Sequence, residues 1–215
     1  MTASSPLLPF GPIIVFPCCS LGRGETMAVV RWTDWEGRGL EHCVCRQDAE
    51  GLVLEGVVAG TRHGAYGGHY FVRTTPDFRT REIRVEYVGG PCLHVQSDGD
   101  GNWHDVIGNR ALPALDGCID VDIGITPATN TLPIKRLKLK AGESRDITVA
   151  YVPLPDQIDG NFLPQRADQR YTCLTPDQRY RYEGLFRAFT AELEVDEAGL
   201  VLDYPDTFRR IAIST

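Results

Sequence analysis

The chain has 215 residues, 42% of them hydrophobic and 24% charged, and a formal net charge of −7. This composition fits one globular domain and excludes a disordered chain. The acidic balance, with lysine confined to Lys135, Lys138 and Lys140 and arginine scattered, excludes the clustered cations that nucleic-acid binding requires. No basic amphipathic stretch marks a membrane surface, and no apolar run is long and unbroken enough for stable membrane insertion.

Residues 1–26 hold an apolar run, LLPFGPIIVFPCC, broken by prolines and preceded by no lysine or arginine. It lacks the charged start of a secretory signal. We expect an extension that is disordered or a mis-assigned start, with Met27 opening a single β-rich domain over residues 27–215. Seven cysteines, odd in number and with no CxxC pair, make a poor disulfide framework and no zinc ribbon. They read as small buried hydrophobes in a reducing, cytoplasmic compartment.

From Met27 on, strand follows strand. Ala28–Trp32 precedes a turn at Trp35–Gly39. Leu40–Arg46 and Leu52–Ala59 flank Gln47–Gly51 as a hairpin. Thr61–Gly68, with three glycines, reads as a loop. His69–Arg73 and Thr80–Val88 form a second hairpin, and in the latter strand Arg81, Ile83, Val85 and Tyr87 alternate against polar neighbours. Cys92–Gln96 and Asn102–Ile107 form a third, across Ser97–Gly101.

Gly117–Leu137 reads GCIDVDIGITPATNTLPIKRL. Ile119, Val121, Ile123 and Ile125 alternate with Asp120, Asp122, Gly124 and Thr126, so two carboxylates share a strand face about 7 Å apart. A loop stiffened by Pro127 and Pro133 follows, then the cations Lys135 and Arg136. A fourth hairpin is expected between Ile134–Lys140 and Asp146–Val152, with Ile147, Val149 and Tyr151 inward. Residues 153–169 read as a long irregular connection. Tyr171–Leu174 and Tyr180–Phe186 follow, the latter a short helix or a bulged strand. Phe189–Val195 and Leu200–Tyr204 around Asp196–Gly199 close the chain as its clearest hairpin.

With no sustained helical periodicity, the sequence predicts a mainly β protein. Roughly a dozen strands form a large curved antiparallel sheet, a partly closed half-barrel with little helix. So many strands must twist and close around a cavity or a plug.

Catalytic and cofactor signatures are missing. Asp98–Asn102 begins like a calcium loop, but Trp103 and Asn109 occupy the places that need glycine and glutamate. The five histidines have no metal spacing, and neither a GxSxG elbow nor a phosphate-binding loop occurs. Cys118 lacks an activating partner. No cofactor and no metal are implied. Asp120 and Asp122 remain open to three readings: ion-pair partners of Lys135 and Arg136, ligand contacts, or the acid and base of a hydrolase acting on a sugar or lipid. Their spacing falls within the range of inverting glycosidases. Tyrosines and tryptophans spread over the strands suit sugars or amphipathic ligands as well as they suit a β core.

GCxDVDI followed by TPxTNTLPIxRL resembles the signature of the bacterial family named putative glycolipid-binding. Glu41 within Gly39–Gly60, Glu55-Gly56-Val57-Val58, Asp100-Gly101-Asn102-Trp103, Val149–Pro153, Tyr180–Tyr182 and Val195–Pro205 match in order, over about Ala28 to Ile211. The resemblance implies a curved half-barrel similar to bacterial lipoprotein and lipid carriers, and binding of a glycolipid or other amphipathic molecule without established catalysis. We expect a monomer. In it Asp120, Asp122, Asn130 and Arg136 would hold the head group, with Glu41 among the ligand-binding residues and Trp103 and Tyr182 stacking on sugar or lining the mouth.

Overall fold

The computed structural model describes residues 25–186 and 188–212. The expected extension over residues 1–26 lies, except for its last two residues, outside them. Eight strands follow one another first: β1 (Thr26–Asp34), β2 (Leu40–Asp48), β3 (Gly51–Gly60), β4 (Tyr66–Thr74), β5 (Thr80–Tyr87), β6 (Cys92–Ser97), β7 (Trp103–Asp105) and β8 (Arg110–Ala111). Each pairs antiparallel with the next. The remaining strands are β9 (Asp120–Ile123), β10 (Ser144–Val152), β11 (Gln165–Thr175), β12 (Arg179–Gly184), β13 (Phe189–Glu194), β14 (Asp203–Tyr204) and β15 (Phe208–Ile211). They give a ten-stranded sheet, β14-β15-β1-β2-β3-β4-β5-β6-β7-β8, and a five-stranded sheet, β13-β12-β11-β10-β9. The protein is mainly β, and the large antiparallel sheet with its curled companion makes the expected half-barrel.

Turn chemistry fixes the first hairpins. The Asp48 carboxylate accepts from the amides of Glu50 and Gly51 at 2.7 and 3.1 Å. The Asp98 carboxylate accepts from those of Asp100 and Asn102 at 2.8 and 3.1 Å. These are Asx turns, which short acidic side chains favour, and they explain why the calcium-like segment is a hairpin tip.

One shared core joins the sheets. Aromatic tips of the large sheet bond to backbone lying across it. Trp32 Nε1 donates to Val201 O at 2.9 Å, Trp103 Nε1 to Cys118 O at 2.8 Å, and the Tyr87 hydroxyl to Pro153 O at 2.9 Å. Each bond lets a large apolar ring bury its one polar atom with a partner. At one side Thr80 N bonds Ile119 O at 3.1 Å. At the other, Tyr204 of β14 packs on Tyr182 and Phe189 of the small sheet, with ring centres 6.0 and 5.9 Å apart.

Several expectations are corrected. The segment expected as the strand Ile134–Lys140 instead begins inside the helix α1 (Thr131–Leu137), which follows a 3-10 turn at Ala128–Asn130. Consequently the expected hairpin with Asp146–Val152 does not form; β10 pairs instead in parallel with β9, Asp120 beside Val149 and Asp122 beside Tyr151. A parallel pair requires a crossover, and α1 lies in it. Pro133 falls in the first turn of α1, where no intrahelical amide bond is lost. Lys138, left-handed at φ 49°, ends the helix. Seven residues are too few to reveal a period of 3.6.

The second correction concerns the last hairpin. Phe189–Val195 and Leu200–Tyr204 share a single bridge, Val195 with Val201. Beyond it the chain leaves the small sheet, and β14 pairs with β15 in the large one. The connection over residues 153–169 is also shorter than expected. Pro155–Gln157 is a 3-10 turn and β11 begins at Gln165. The segment left as short helix or bulged strand is the regular strand β12, and the bulge sits in β11 between Cys173 and Thr175.

Gly56 makes one close approach possible. A Cβ there would lie 2.5 Å from the Tyr70 ring, and nothing flexible could yield. Its absence lets the fully buried Tyr70 cross to Glu41, where the hydroxyl donates to Oε1 at 2.5 Å. Gly56→Ala is expected to destabilise the protein by about 1–3 kcal/mol through overpacking, read from a chemical denaturation midpoint.

Candidate functional site

A cavity of about 760 Å³ opens between the small sheet and the β14–β15 end of the large one. Its walls come from distant parts of the chain. β9 contributes Asp122 and Ile123, β10 Tyr151, β12 Tyr182 and Gly184, and β13 Phe189. Phe186 comes from the turn after β12, and Gly124, Thr126 and Asn130 from the stretch after β9. The large sheet adds Arg62 and His63 from its β3–β4 loop, and Tyr204, Asp206, Thr207 and Phe208 from its last hairpin.

One wall is aromatic. Tyr182 packs edge-on against Tyr171 at 5.4 Å and Tyr204 at 6.0 Å, Phe189 meets Tyr204 at 5.9 Å, and Tyr204 meets Phe208 at 6.2 Å. Tyr151 and Phe186, also in the lining, lie 5.5 Å apart. Burial, with the neighbouring tyrosines and Asp122 adding to it, pushes the Tyr204 hydroxyl well above its usual range. Gly124 keeps the space open beside Tyr151, since a Cβ there would lie 2.8 Å from the tyrosine oxygen.

The remaining lining is polar and held in place. Arg62 Nη1 donates to Gly124 O at 2.9 Å, and its guanidinium lies 4.9 Å from the centre of the Phe208 ring. Asp122 Oδ2 accepts from Gln169 Nε2 at 2.6 Å. Asn130 is used twice: its Oδ1 accepts from the Tyr171 hydroxyl at 2.8 Å, and its Nδ2 donates to Pro127 O at 3.1 Å. The Tyr151 hydroxyl donates to Gln157 Oε1 at 3.0 Å. His63 stands 3.3 Å from the Asp156 carboxylate at the rim. Carboxylate, amide, hydroxyl and guanidinium groups thus share one cavity lining with aromatic rings. Those rings can take a sugar face or an acyl chain, and the polar groups can bond hydroxyls.

Of the residues singled out in the sequence, Asp122, Asn130 and Tyr182 line this cavity. Asp120, Arg136, Trp103 and Glu41 do not. Arg136 Nε and Nη2 donate to the two oxygens of the fully buried Asp120 at 3.0 and 2.5 Å, tying α1 to β9. Burial pushes the Asp120 carboxyl up, and the two guanidinium bonds oppose it. Trp103 is buried against the Cys118 carbonyl.

Glu41 lies behind the cavity wall. Its Oε1 accepts from Tyr70 and from Thr126, a lining residue, at 2.5 and 2.6 Å. Its Oε2 has no hydrogen-bond partner among the described residues. Burial raises its pKa to about 8, against hydrogen bonds from Thr126 and Tyr70 and the charge of Arg210. Asp120 and Asp122 therefore face different surroundings, and the geometry gives no support to an acid/base pair. Arg62, Phe186, Phe189 and Phe208 carry no motif; their one sequence signal is position at strand ends and turns.

Among the described residues no helix is long and apolar enough to cross a membrane. The family described as "Putative glycolipid-binding" matches residues 29–210. The chain is similar to a DUF1089 family protein from Pseudomonas aeruginosa known from a crystal structure. The two are 33% identical with a TM-score of 0.61, over 96% of this chain and 100% of that one. No curated protein matches the chain.

Proposed function

The chain belongs to the putative glycolipid-binding family, and on that footing we propose that it is a binding protein whose cavity holds a single-chain glycolipid or a similar amphipathic molecule. The observation that carries this reading is that one lining combines aromatic rings with a polar set that includes Asp122, Asn130 and Arg62. A volume of about 760 Å³ suits a ligand of drug size. We take this as one sugar ring with the start of one chain. Tyr182 and Phe189 stack on the apolar face, and Asp122 and Asn130 bond the hydroxyls. The five described cysteines are all free thiols, which supports a reducing, cytoplasmic setting.

Native mass spectrometry of protein purified from its host, with calorimetric titration by octyl glucoside below its micelle concentration, tests the proposal. A saturable one-to-one complex is expected. Phe186 is 41% exposed at the cavity edge, so Phe186→Ala removes ligand contact with little cost in folding. That variant should bind about tenfold more weakly at an unchanged melting temperature. Empty protein from the host, together with no heat from any alkyl glycoside, would sink the reading.

A further inference from the structure

We propose that a second cleft, separate from the aromatic cavity, binds an anionic single-chain amphiphile such as an alkyl phosphate or a long-chain carboxylate. The cleft measures about 540 Å³ and has an apolar floor that includes Phe78, Ile134, Leu139 and Val195. All three lysines of the chain, Lys135, Lys138 and Lys140, line it. Its size falls in the range of small-molecule sites.

The argument rests on how charge is distributed. The protein is acidic overall, yet its lysines gather at one place. None of them forms an ion pair among the described residues, whereas arginines occupy most of the bridges. Lys135 instead stands 5.8 Å from the centre of the Phe78 ring. Three carboxylates share the cleft. Asp196 is committed to Arg210 at 3.1 Å and to the Leu200 amide at 2.9 Å. Asp177 and Glu197 remain, so three ammonium groups face two uncommitted carboxylates, a surplus of one positive charge. Flexible ammonium groups around an apolar floor match a ligand with a charged oxygen-rich head and an alkyl tail. The helix end at Lys138 accounts for cations at the last turn of α1, but not for Lys140, two residues beyond it, reaching the same cleft.

The three lysines also supply the test. Reductive methylation with ¹³C-formaldehyde keeps their charge and gives three lysine signals, all at the cleft, besides the terminal amine. Titration with octyl phosphate below its micelle concentration should shift at least two of them saturably. Lys138→Glu with Lys140→Glu, both exposed positions, should weaken that binding about tenfold, and Glu197→Gln should tighten it. Several results would overturn the proposal: no saturable shift, an equal shift with octyl glucoside, an equal shift with inorganic phosphate alone, or a shift only with vesicles of anionic phospholipid. The last would make the cleft a membrane-docking surface. Because the lysine signals do not report on the aromatic cavity, octyl glucoside binding there can succeed or fail independently.

Discussion

Arg136→Met is expected to destabilise the protein by about 3–5 kcal/mol, the usual loss when one partner of a buried ion pair is removed. Asp120 is fully buried in β9, and both its oxygens are bonded by the Arg136 guanidinium. Methionine fills similar space, so the loss comes from a carboxylate left without a partner rather than from a hole. Burial already pushes that carboxyl up. Without Arg136 it would take a proton, which makes the loss smaller in acid than at neutral pH. Replacing both residues together, Asp120→Leu with Arg136→Met, should recover most of the stability, since an apolar pair carries no desolvation cost. Urea denaturation of the four proteins decides the matter. If the double variant loses the sum of the single losses, Asp120 and Arg136 are not acting as a pair. The structure makes this pair the tie between α1 and the strand that carries Asp122, so the variant should also weaken octyl glucoside binding.

The parts of this fold that announce themselves in sequence are those set by local chemistry. Asp48 with Gly51, Ser97 with Gly99 and Asp98 with Asp100 close hairpins through bonds within a few residues, and alternation in β5 marks one dry face. The parallel pairing of β9 with β10 leaves no such trace. DVDI alternates as an antiparallel strand would, and TLPIKRL is too short to show a helical period. The sheet switch after Val195 is hidden for a related reason. Asp196–Gly199 is a good turn whichever strand follows, and what places β14 in the large sheet is its pairing with β15, which in turn pairs with β1, a contact between distant residues. The site divides the same way. Asp120 and Asp122 share a strand face, but which acid meets Arg136 and which meets the cavity depends on α1 covering one end of β9. The aromatic wall draws on β12, β13, β14 and β15, and its phenylalanines form no motif in the chain.

Stability should fall as pH rises from about 5 to 8, and Glu41→Gln should remove most of that fall. In the folded protein the Glu41 pKa is raised from 4.5 to about 8, chiefly by burial. The folded state therefore holds a proton that the unfolded chain has released. Stability from this group is fully present below pH 4.5 and is lost progressively as pH climbs through 8. At 1.36 kcal/mol per pH unit, the span is worth roughly 4–5 kcal/mol. Glutamine keeps the acceptor for Tyr70 and Thr126 and cannot ionise. The opposing carboxylates act in a different window. Burial works against the ionised form of Glu82, but bonds from Arg84, Arg73 and His94 prevail and hold its pKa below the usual range. Its contribution is present at neutral pH and lost in acid, so it does not mask the alkaline fall. Urea midpoints of both proteins between pH 5 and 9 test this. Parallel curves would mean that Glu41 is ionised in the folded state at neutral pH. The same variant separates support from contact. Glu41 stands behind Thr126 rather than in the cavity lining, so Glu41→Gln should bind octyl glucoside as tightly as the parent at pH 6. Tenfold weaker binding there would place the carboxyl in direct reach of the ligand.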